Sequence, residues 1–184
     1  CIRDSYWQQA IYTAAVIEGL TRAMPRAQRP EVGLTYLAGL LHNFGNLVLA
    51  HVFPPHFSLI CRHLEVNPHL PHSYIEQHLL GISREQIGSW LMRYWDMPEE
   101  LAVALRFQHD PSYSGNHATY PNLVYLAVSL LHNRGIGNGP AREIPASLLD
   151  NLGITREKAE EALNKVLAAE VALRDLATQF GSPQ

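Results

Sequence analysis

The sequence has little cysteine and no long uninterrupted apolar run. Only two of its 184 residues are cysteines, and Cys1 and Cys61 form neither a metal-binding spacing nor a disulfide framework. The most apolar stretch, residues 34–52, is interrupted by His42 and Asn43, whereas a bilayer-spanning helix needs about 20 predominantly apolar residues. These absences predict a protein of the reducing cytoplasm that does not span a membrane.

The chain also lacks an excess of positive charge. It has 14 Lys and Arg against 17 Asp and Glu, a formal net charge of −3 and a pI of about 6.4. A nucleic-acid-binding protein usually presents a basic face, so we expect no nucleic-acid partner. The hydrophobic fraction of 47% is enough to form a folded core. Because Cys1 is an unusual first residue, we expect the numbering to begin inside a longer protein.

Strand-like alternation of useful length is missing, and the apolar residues recur at helical spacing instead. Proline and glycine separate the periodic segments. Helices are predicted at 5–24, 31–52, 56–66, 72–79, 84–95, 97–108, 121–133 and 156–179. The sequence therefore predicts an all-α fold, a helical bundle. Since the helix at 31–52 is apolar on nearly every side, we expect it at the centre of the bundle.

Two predicted helices begin with a capping signal. Ser83 is followed three residues later by Gln86, and Asp96 by Glu99, which is the spacing of a capping box. The three tryptophans, Trp7, Trp90 and Trp95, are expected in the core.

A glycine-rich segment around residues 135–140 is the best candidate for a domain boundary. It predicts a helical core at 1–139 and a C-terminal helical extension at 140–184. The last helix of that extension, 156–179, has an apolar stripe and a charged side. Such an amphipathic helix is expected to pack on the outside of the bundle or to mediate self-association.

Six of the ten histidines fall between residues 51 and 78. None of them forms the i, i+4 pair with an acid that a helical zinc site requires. The simplest interpretation is a set of surface imidazoles, and the alternative is adventitious binding of a divalent ion. Because binding residues concentrate in loops and short helices, His63, His69 and His72 are candidates for an interaction surface, although a variable surface loop explains them equally well.

His42 and Asn43 lie within the apolar segment, with Gly45 shortly after them. An unpaired buried polar group costs about 1–3 kcal/mol, and a glycine inside a helix costs about 1 kcal/mol relative to alanine. This combination indicates either a local packing requirement or a functional site or its remnant.

The segment LAGLLHNFGNLVLAHVFP (37–54) resembles LAGLLHDIGKLVLAQVFP, the signature of HDOD domains. Two further segments match in the same order, EQHLLGISREQIGSWLMRYWDMPEEL (76–101) and AVALRFQHDP (102–111). The resemblance covers about residues 5–137, without the upstream half of the family domain. HDOD domains are relatives of the HD phosphohydrolases and generally act as output or scaffold domains in bacterial signalling. The resemblance therefore implies an HD-domain-like bundle.

The chain departs from the HD pattern at most positions that hold divalent ions in the enzymes. His42 is retained, but Asn43 replaces the aspartate of the His-Asp pair, and an amide is a poor ligand for a dication. Arg84 replaces a frequent histidine and stays protonated. The vestigial-site candidates implied by the resemblance are Gln9, His42, Asn43, Arg84, Gln108 and His109. We expect four of them to form a satisfied polar network in the bundle core: Gln9, His42, Asn43 and Gln108.

The departures imply a protein without catalytic residues, metal ligands or a cofactor. We interpret it as a non-catalytic output or interaction domain of a bacterial regulatory protein. Its expected partner is another protein or a further domain of the same polypeptide. Two alternatives stay open: a metal-dependent phosphohydrolase of nucleotides or cyclic dinucleotides, and a small-ligand sensor that uses the vestigial cavity.

Overall fold

The computed structural model describes residues 2–137 and 139–169, with side chains from residue 6 onward. All regular elements in those ranges are helical, which confirms the all-α prediction. The helices are α1 (Ile2–Ala23), α2 (Val32–Leu41), α3 (Phe44–Val52), α4 (Pro54–Val66), α5 (His72–Leu80), α6 (Arg84–Tyr94), α7 (Glu99–Phe107), α8 (Thr119–Asn133), α9 (Ala146–Leu152) and α10 (Arg156–Ala168), with a short 3₁₀ turn at Arg26–Gln28.

The central element of the bundle is α8. Thirteen consecutive residues of α8, 120–132, are buried, and α1, α2, α7 and α9 pack around it. The segment 31–52 was expected in this place, and that prediction is wrong: in α2 only Thr35, Ala38 and Gly39 are buried. Apolar composition shows that a helix avoids water, but the number of neighbours around it depends on the tertiary arrangement.

The predicted helix 31–52 is also divided into two. Asn43 leaves the helical conformation, with φ −102° and ψ 16°, so that α2 ends and α3 starts around it. Residues 32–52 are apolar and long enough to cross a membrane by composition alone, a test that core helices of soluble proteins also pass. Such a single segment is weak evidence for a membrane span.

Of the two predicted capping boxes, one is confirmed. The backbone N–H of Ser83 donates to Gln86 Oε1 at 2.9 Å, and the backbone N–H of Gln86 donates to Ser83 Oγ at 3.3 Å. The second is wrong, because α7 starts after Pro98 without a side-chain cap. Asp96 adopts a left-handed conformation with φ 54°, and there it serves the tight link between α6 and α7 instead of capping a helix.

The C-terminal extension, as far as residue 169, contributes to the same hydrophobic core as the rest. Ile144, Leu148 and Leu163 are buried in it, and α10 packs on α1. A Cβ placed on Gly19 of α1 would lie 3.3 Å from the Cβ of Ala162, so the two helices approach closely. The part of the predicted helix beyond residue 169 lies outside the described residues.

Two tryptophans that were expected in the core lie at the surface. Trp90 is 52% exposed and Trp95 is 50% exposed, whereas Trp7 is half-buried. The buried face of α6 carries small or slender residues, among them Gly88, Ser89 and Met92. On the other face of α6 the large ring of Trp90 stays accessible to water.

The crossing of α3 and α6 leaves no room for a side chain at Gly45. A Cβ at this position would overlap the backbone carbonyl group of Arg84, which cannot move as a side chain does.

We predict that Gly45→Ala lowers the free energy of unfolding by about 3 kcal/mol or more, measured by urea denaturation. The control is Gly33→Ala, at an exposed position in α2 where the nearest atom would be 3.6 Å away. That change should be neutral or stabilise by up to about 1 kcal/mol. Equal stability of the two variants would contradict the close helix crossing.

Candidate functional site

A cavity of about 830 Å³ lies between α1, the α4–α5 connection, the starts of α3 and α6, α8 and the segment after residue 138. Five of the six vestigial-site candidates line it: Gln9, Asn43, Arg84, Gln108 and His109. The structure therefore brings together residues that are up to 100 positions apart in the sequence. Whether they form a functional site stays a prediction.

The sixth candidate, His42, is buried behind this lining and is only 4% exposed. This confirms its predicted burial. Its Nδ1 lies 2.6 Å from the carbonyl oxygen of Gly39, and its own carbonyl oxygen accepts a hydrogen bond from Gln108 Nε2 at 2.7 Å. Burial lowers the pKa of His42 to about 4, and the charges of His109, His132 and Arg142 act in the same direction.

The predicted polar network is only partly satisfied. Gln108 Nε2 is shared between the carbonyl oxygens of His42 and Leu105. His42 Nε2 and Asn46 Oδ1 are buried and have no hydrogen-bond partner among the described residues. A buried polar atom without a partner in protein is a site where water or a ligand atom gains a hydrogen bond.

Arg84 is fixed by an acid that the sequence analysis did not select. The carboxylate of Glu76 on α5 is completely buried. It accepts hydrogen bonds from the Arg84 guanidinium and from the Arg84 backbone N–H, the latter at 2.9 Å. Burial raises the pKa of Glu76, and the charge and hydrogen bonds of Arg84 oppose that rise. Arg84 therefore places a fixed positive charge on the cavity wall.

On the other side of the cavity, a second set of linked polar side chains connects α6, the segment after α7 and the segment after residue 138. His109 Nε2 lies 3.1 Å from Glu85 Oε1, and Arg142 Nη1 donates to His109 Nδ1 at 3.2 Å. Burial opposes ionisation of Glu85, but the hydrogen bond and charge of His109 outweigh burial and lower its pKa to about 2. Glu85 and Arg142 could not be recognised from the sequence, because neither stands at a position of the HD motif.

His132 of α8 completes the polar lining. Its ring is 7% exposed, and neither ring nitrogen has a hydrogen bond of normal geometry within the described chain, although the backbone of Pro140 is near. Burial lowers the pKa of His132 to about 4, with a further contribution from Arg142. His132 is not among the site residues expected from the sequence.

The three interaction-surface candidates do not lie in one place. His69 and His72 line the cavity, whereas His63 is exposed on α4 outside it. His69 and His72 therefore belong to the cavity wall as well as to the surface. Their role in binding a partner stays a prediction.

The arrangement offers few ligands for a metal ion. No group of three or more His, Cys, Asp or Glu residues in the described ranges is placed to hold one. The carboxylate in the lining, Glu85, is already bound to His109. The amides of Asn43 and Gln108 and the guanidinium of Arg84 do not replace the missing charge. The residues present in this cavity therefore do not fit the divalent ions of HD enzymes.

Comparison with known proteins gives the family. The family model described as the HDOD domain matches residues 2–111. The chain belongs to the HDOD family. The matched region extends from α1 through the end of α7, and α8 to α10, which complete the core, follow it.

The relatives of this HDOD chain are longer than it is. A solved protein from Marinobacter aquaeolei, named as a signal transduction protein, is 47% identical with a TM-score of 0.90, over 96% of this chain and 39% of its own. One from Shewanella amazonensis, named as a phosphohydrolase, is 17% identical with a TM-score of 0.74, over 96% and 64%. An uncharacterized Treponema pallidum protein is 25% identical over 85% of this chain and 30% of its own length. The HDOD chain thus spans about a third of the Marinobacter and Treponema proteins.

The buried histidines make the stability of this HDOD domain depend on pH. The pKa of His42 is about 4 in the folded state and about 6.5 in an unfolded chain. Between these values the unfolded state binds more protons, so stability falls as the pH is lowered from 7 toward 4. For His42 the loss approaches ~3 kcal/mol.

We predict that His42→Asn makes the decrease between pH 7 and 5 shallower, because the group that must be buried uncharged has been removed. The measurement is the free energy of unfolding in urea at pH 7, 6 and 5. His63→Asn, at an exposed position on α4, is the matched control and should follow the unmodified chain. Parallel curves of unfolding free energy against pH for all three proteins would contradict the conclusion that His42 is buried in its uncharged form.

Proposed function

We propose that this HDOD domain is a non-catalytic output or interaction module of a bacterial signalling protein. The observation that carries the proposal is Arg84, a permanently charged side chain held on the cavity wall by the buried carboxylate of Glu76. HD enzymes need a neutral or anionic ligand near this position. An arginine there repels a metal dication and cannot coordinate it.

The substitutions at Asn43 and Gln108 also weaken the attraction of the cavity for a metal dication. Asn43 provides an uncharged amide, and Gln108 donates its N–H groups to the backbone carbonyls of His42 and Leu105. The charge that would attract a metal ion is therefore reduced at several positions of one cavity. Reversion at a single position would not restore a site, since metal affinity depends on the whole ligand set.

The relatives support the signalling part of the proposal. The Marinobacter protein, at 47% identity, is named for signal transduction. Because the present chain spans 39% of that protein, its output is expected to act on another domain of the same polypeptide or on a separate cytoplasmic protein. Self-association through the helix at 156–179 is a further route, and its described part, α10, keeps its charged side exposed, as at Glu157 and Glu161.

One observation favours a metal-dependent phosphohydrolase as the second candidate. His42, the retained histidine of the motif, keeps a buried Nε2 without a partner among the described residues, as a histidine that ligates a metal would in the absence of that metal. The Shewanella protein, named as a phosphohydrolase, supports only the fold at 17% identity. A direct metal and activity measurement separates the two candidates.

We predict that the purified chain, loaded with Mn²⁺, Fe²⁺ or Zn²⁺ and then dialysed, retains well below one metal ion per chain, because no complete ligand set lines the cavity. It should not hydrolyse bis(p-nitrophenyl) phosphate. Elemental analysis and absorbance of released nitrophenolate are the measurements. A variant with His51, His56 and His63 changed to Asn controls for adventitious binding by surface histidines, because these three are exposed and do not line the cavity. One ion per chain that survives in this variant but is lost in His42→Asn, together with hydrolysis, would establish the phosphohydrolase instead.

The interaction surface has its own test. We predict that changing His63, His69 and His72 to Ala leaves the helical content intact, since none of them is buried, but weakens binding of the partner domain or protein. Chemical cross-linking of the longer polypeptide followed by mass spectrometry provides the readout. His51→Ala, also exposed, is the matched control. Unchanged cross-links in the triple variant would remove this surface from the proposal and leave the non-catalytic role in place.

A further inference from the structure

Arg142 is an underpaired cation on the cavity lining. Its side chain is mostly withdrawn from water, and burial lowers its pKa. No carboxylate in the described ranges lies within ion-pair distance of it. Its guanidinium instead donates to a ring nitrogen, His109 Nδ1, at 3.2 Å, and lies 6.0 Å from the centre of the Tyr125 ring. A partly desolvated guanidinium with unused N–H donors attracts an oxyanion strongly, because a planar fork matches two oxygens at once.

His132 provides a second open group in the same lining. It is 93% buried, as its exposed fraction of 7% shows, and both ring nitrogens lack a hydrogen-bond partner of normal geometry in the described chain. The backbone of Gly139 packs on the ring, where an added Cβ would lie 2.5 Å from Nδ1. The ring is therefore held in place beside a cavity that also contains Arg142.

The charge of the lining is positive. It contains the guanidiniums of Arg84 and Arg142 and one carboxylate, Glu85. Glu76 offsets Arg84, but it is completely buried and does not line the cavity. A ligand that enters therefore meets two cationic groups and one acid that is already bound to His109. This lining suits an anion better than a cation.

The size and the remaining lining indicate an organic ligand. A cavity of about 830 Å³ is much larger than a bare oxyanion and falls in the range typical of small-molecule sites. Its lining also includes apolar surface from Phe57, Leu64, Leu70 and Val128. Such a mixture of apolar surface and a few polar groups is typical of a site that holds a molecule with a charged head and an apolar body.

We propose that this cavity binds a small organic oxyanion, a phosphate monoester or a carboxylate, whose charged head is held by Arg142 and His132 and whose apolar body contacts the aromatic and aliphatic lining. The site rests on the proposed non-catalytic function, because the cavity is taken to bind its ligand without converting it. Binding of this oxyanion makes the cavity a ligand-sensing site within the output domain.

The test uses the 184-residue chain and three probes: phenyl phosphate, benzoate and inorganic phosphate. Binding is followed by isothermal titration calorimetry and by NMR titration. We expect phenyl phosphate or benzoate to bind with a submillimolar dissociation constant, and inorganic phosphate at least about tenfold more weakly because it has no apolar body. The stronger organic probe identifies the head group as phosphate or carboxylate.

The variants locate the head group. Arg142→Gln should weaken the stronger probe at least about tenfold, and Arg142→Lys should weaken it less, because charge remains but the two-oxygen contact is lost. Arg62→Gln, on the exposed face of α4, is the matched control and should bind like the unmodified chain. His132→Asn tests the site independently if Arg142→Gln does not fold. No binding of either organic probe at 10 mM, or equal binding by the Arg142→Gln and Arg62→Gln variants, would overturn the proposal.

The same samples distinguish this proposal from the one on which it rests. Chromatography of phenyl phosphate after incubation with the chain and Mg²⁺, Mn²⁺ or Zn²⁺ should show no phenol. Release of phenol that needs both a metal ion and His42 would refute the non-catalytic function and, with it, the sensing role. Absence of binding without any release would refute only the oxyanion site.

Discussion

The start of α6 at Arg84 is the point on which the site depends. The backbone carbonyl of Arg84 leaves space only for a glycine at position 45 of α3. Its backbone N–H and its guanidinium both bind the buried Glu76 of α5. One residue thus joins three helices, and removal of one partner of a buried ion pair typically costs about 3–5 kcal/mol. The cavity keeps its shape because this wall cannot move without breaking those contacts.

The sequence was sufficient to predict the helices but not their places in the bundle. Proline positions, apolar spacing and the Ser83 capping box depend on local physics, and these features gave most of the elements. The central position of α8 and the outward position of Trp90 depend on which helices meet. The break at Asn43 also depends on tertiary contacts. The backbone carbonyl oxygen of His42, next to the break, accepts a hydrogen bond from Gln108, 66 residues further along the chain.

The residues of the site also fall into two groups: those that the sequence could reveal and those that only the folded chain brings together. Gln9, Asn43 and Gln108 were found because a family motif marks their positions, and the structure places them on one cavity. Arg142 follows a glycine-rich segment and belongs to no motif, so only the folded chain brings it to His109. The dependence of a site on residues outside a motif is a general limit of sequence analysis, since side chains from separate elements form most binding cavities.

The substitutions in this cavity add cationic groups rather than removing its polarity. A degenerate site that had only lost its function would be expected to fill with apolar side chains, because buried polar groups without partners are costly. Instead, Arg84 and Arg142 are cationic, Glu76 and Glu85 hold ordered partners, and His132 stays open. These groups carry a desolvation cost in the absence of an anion, and a bound anion would offset it. The proposed oxyanion would therefore meet partners that the fold already holds in place.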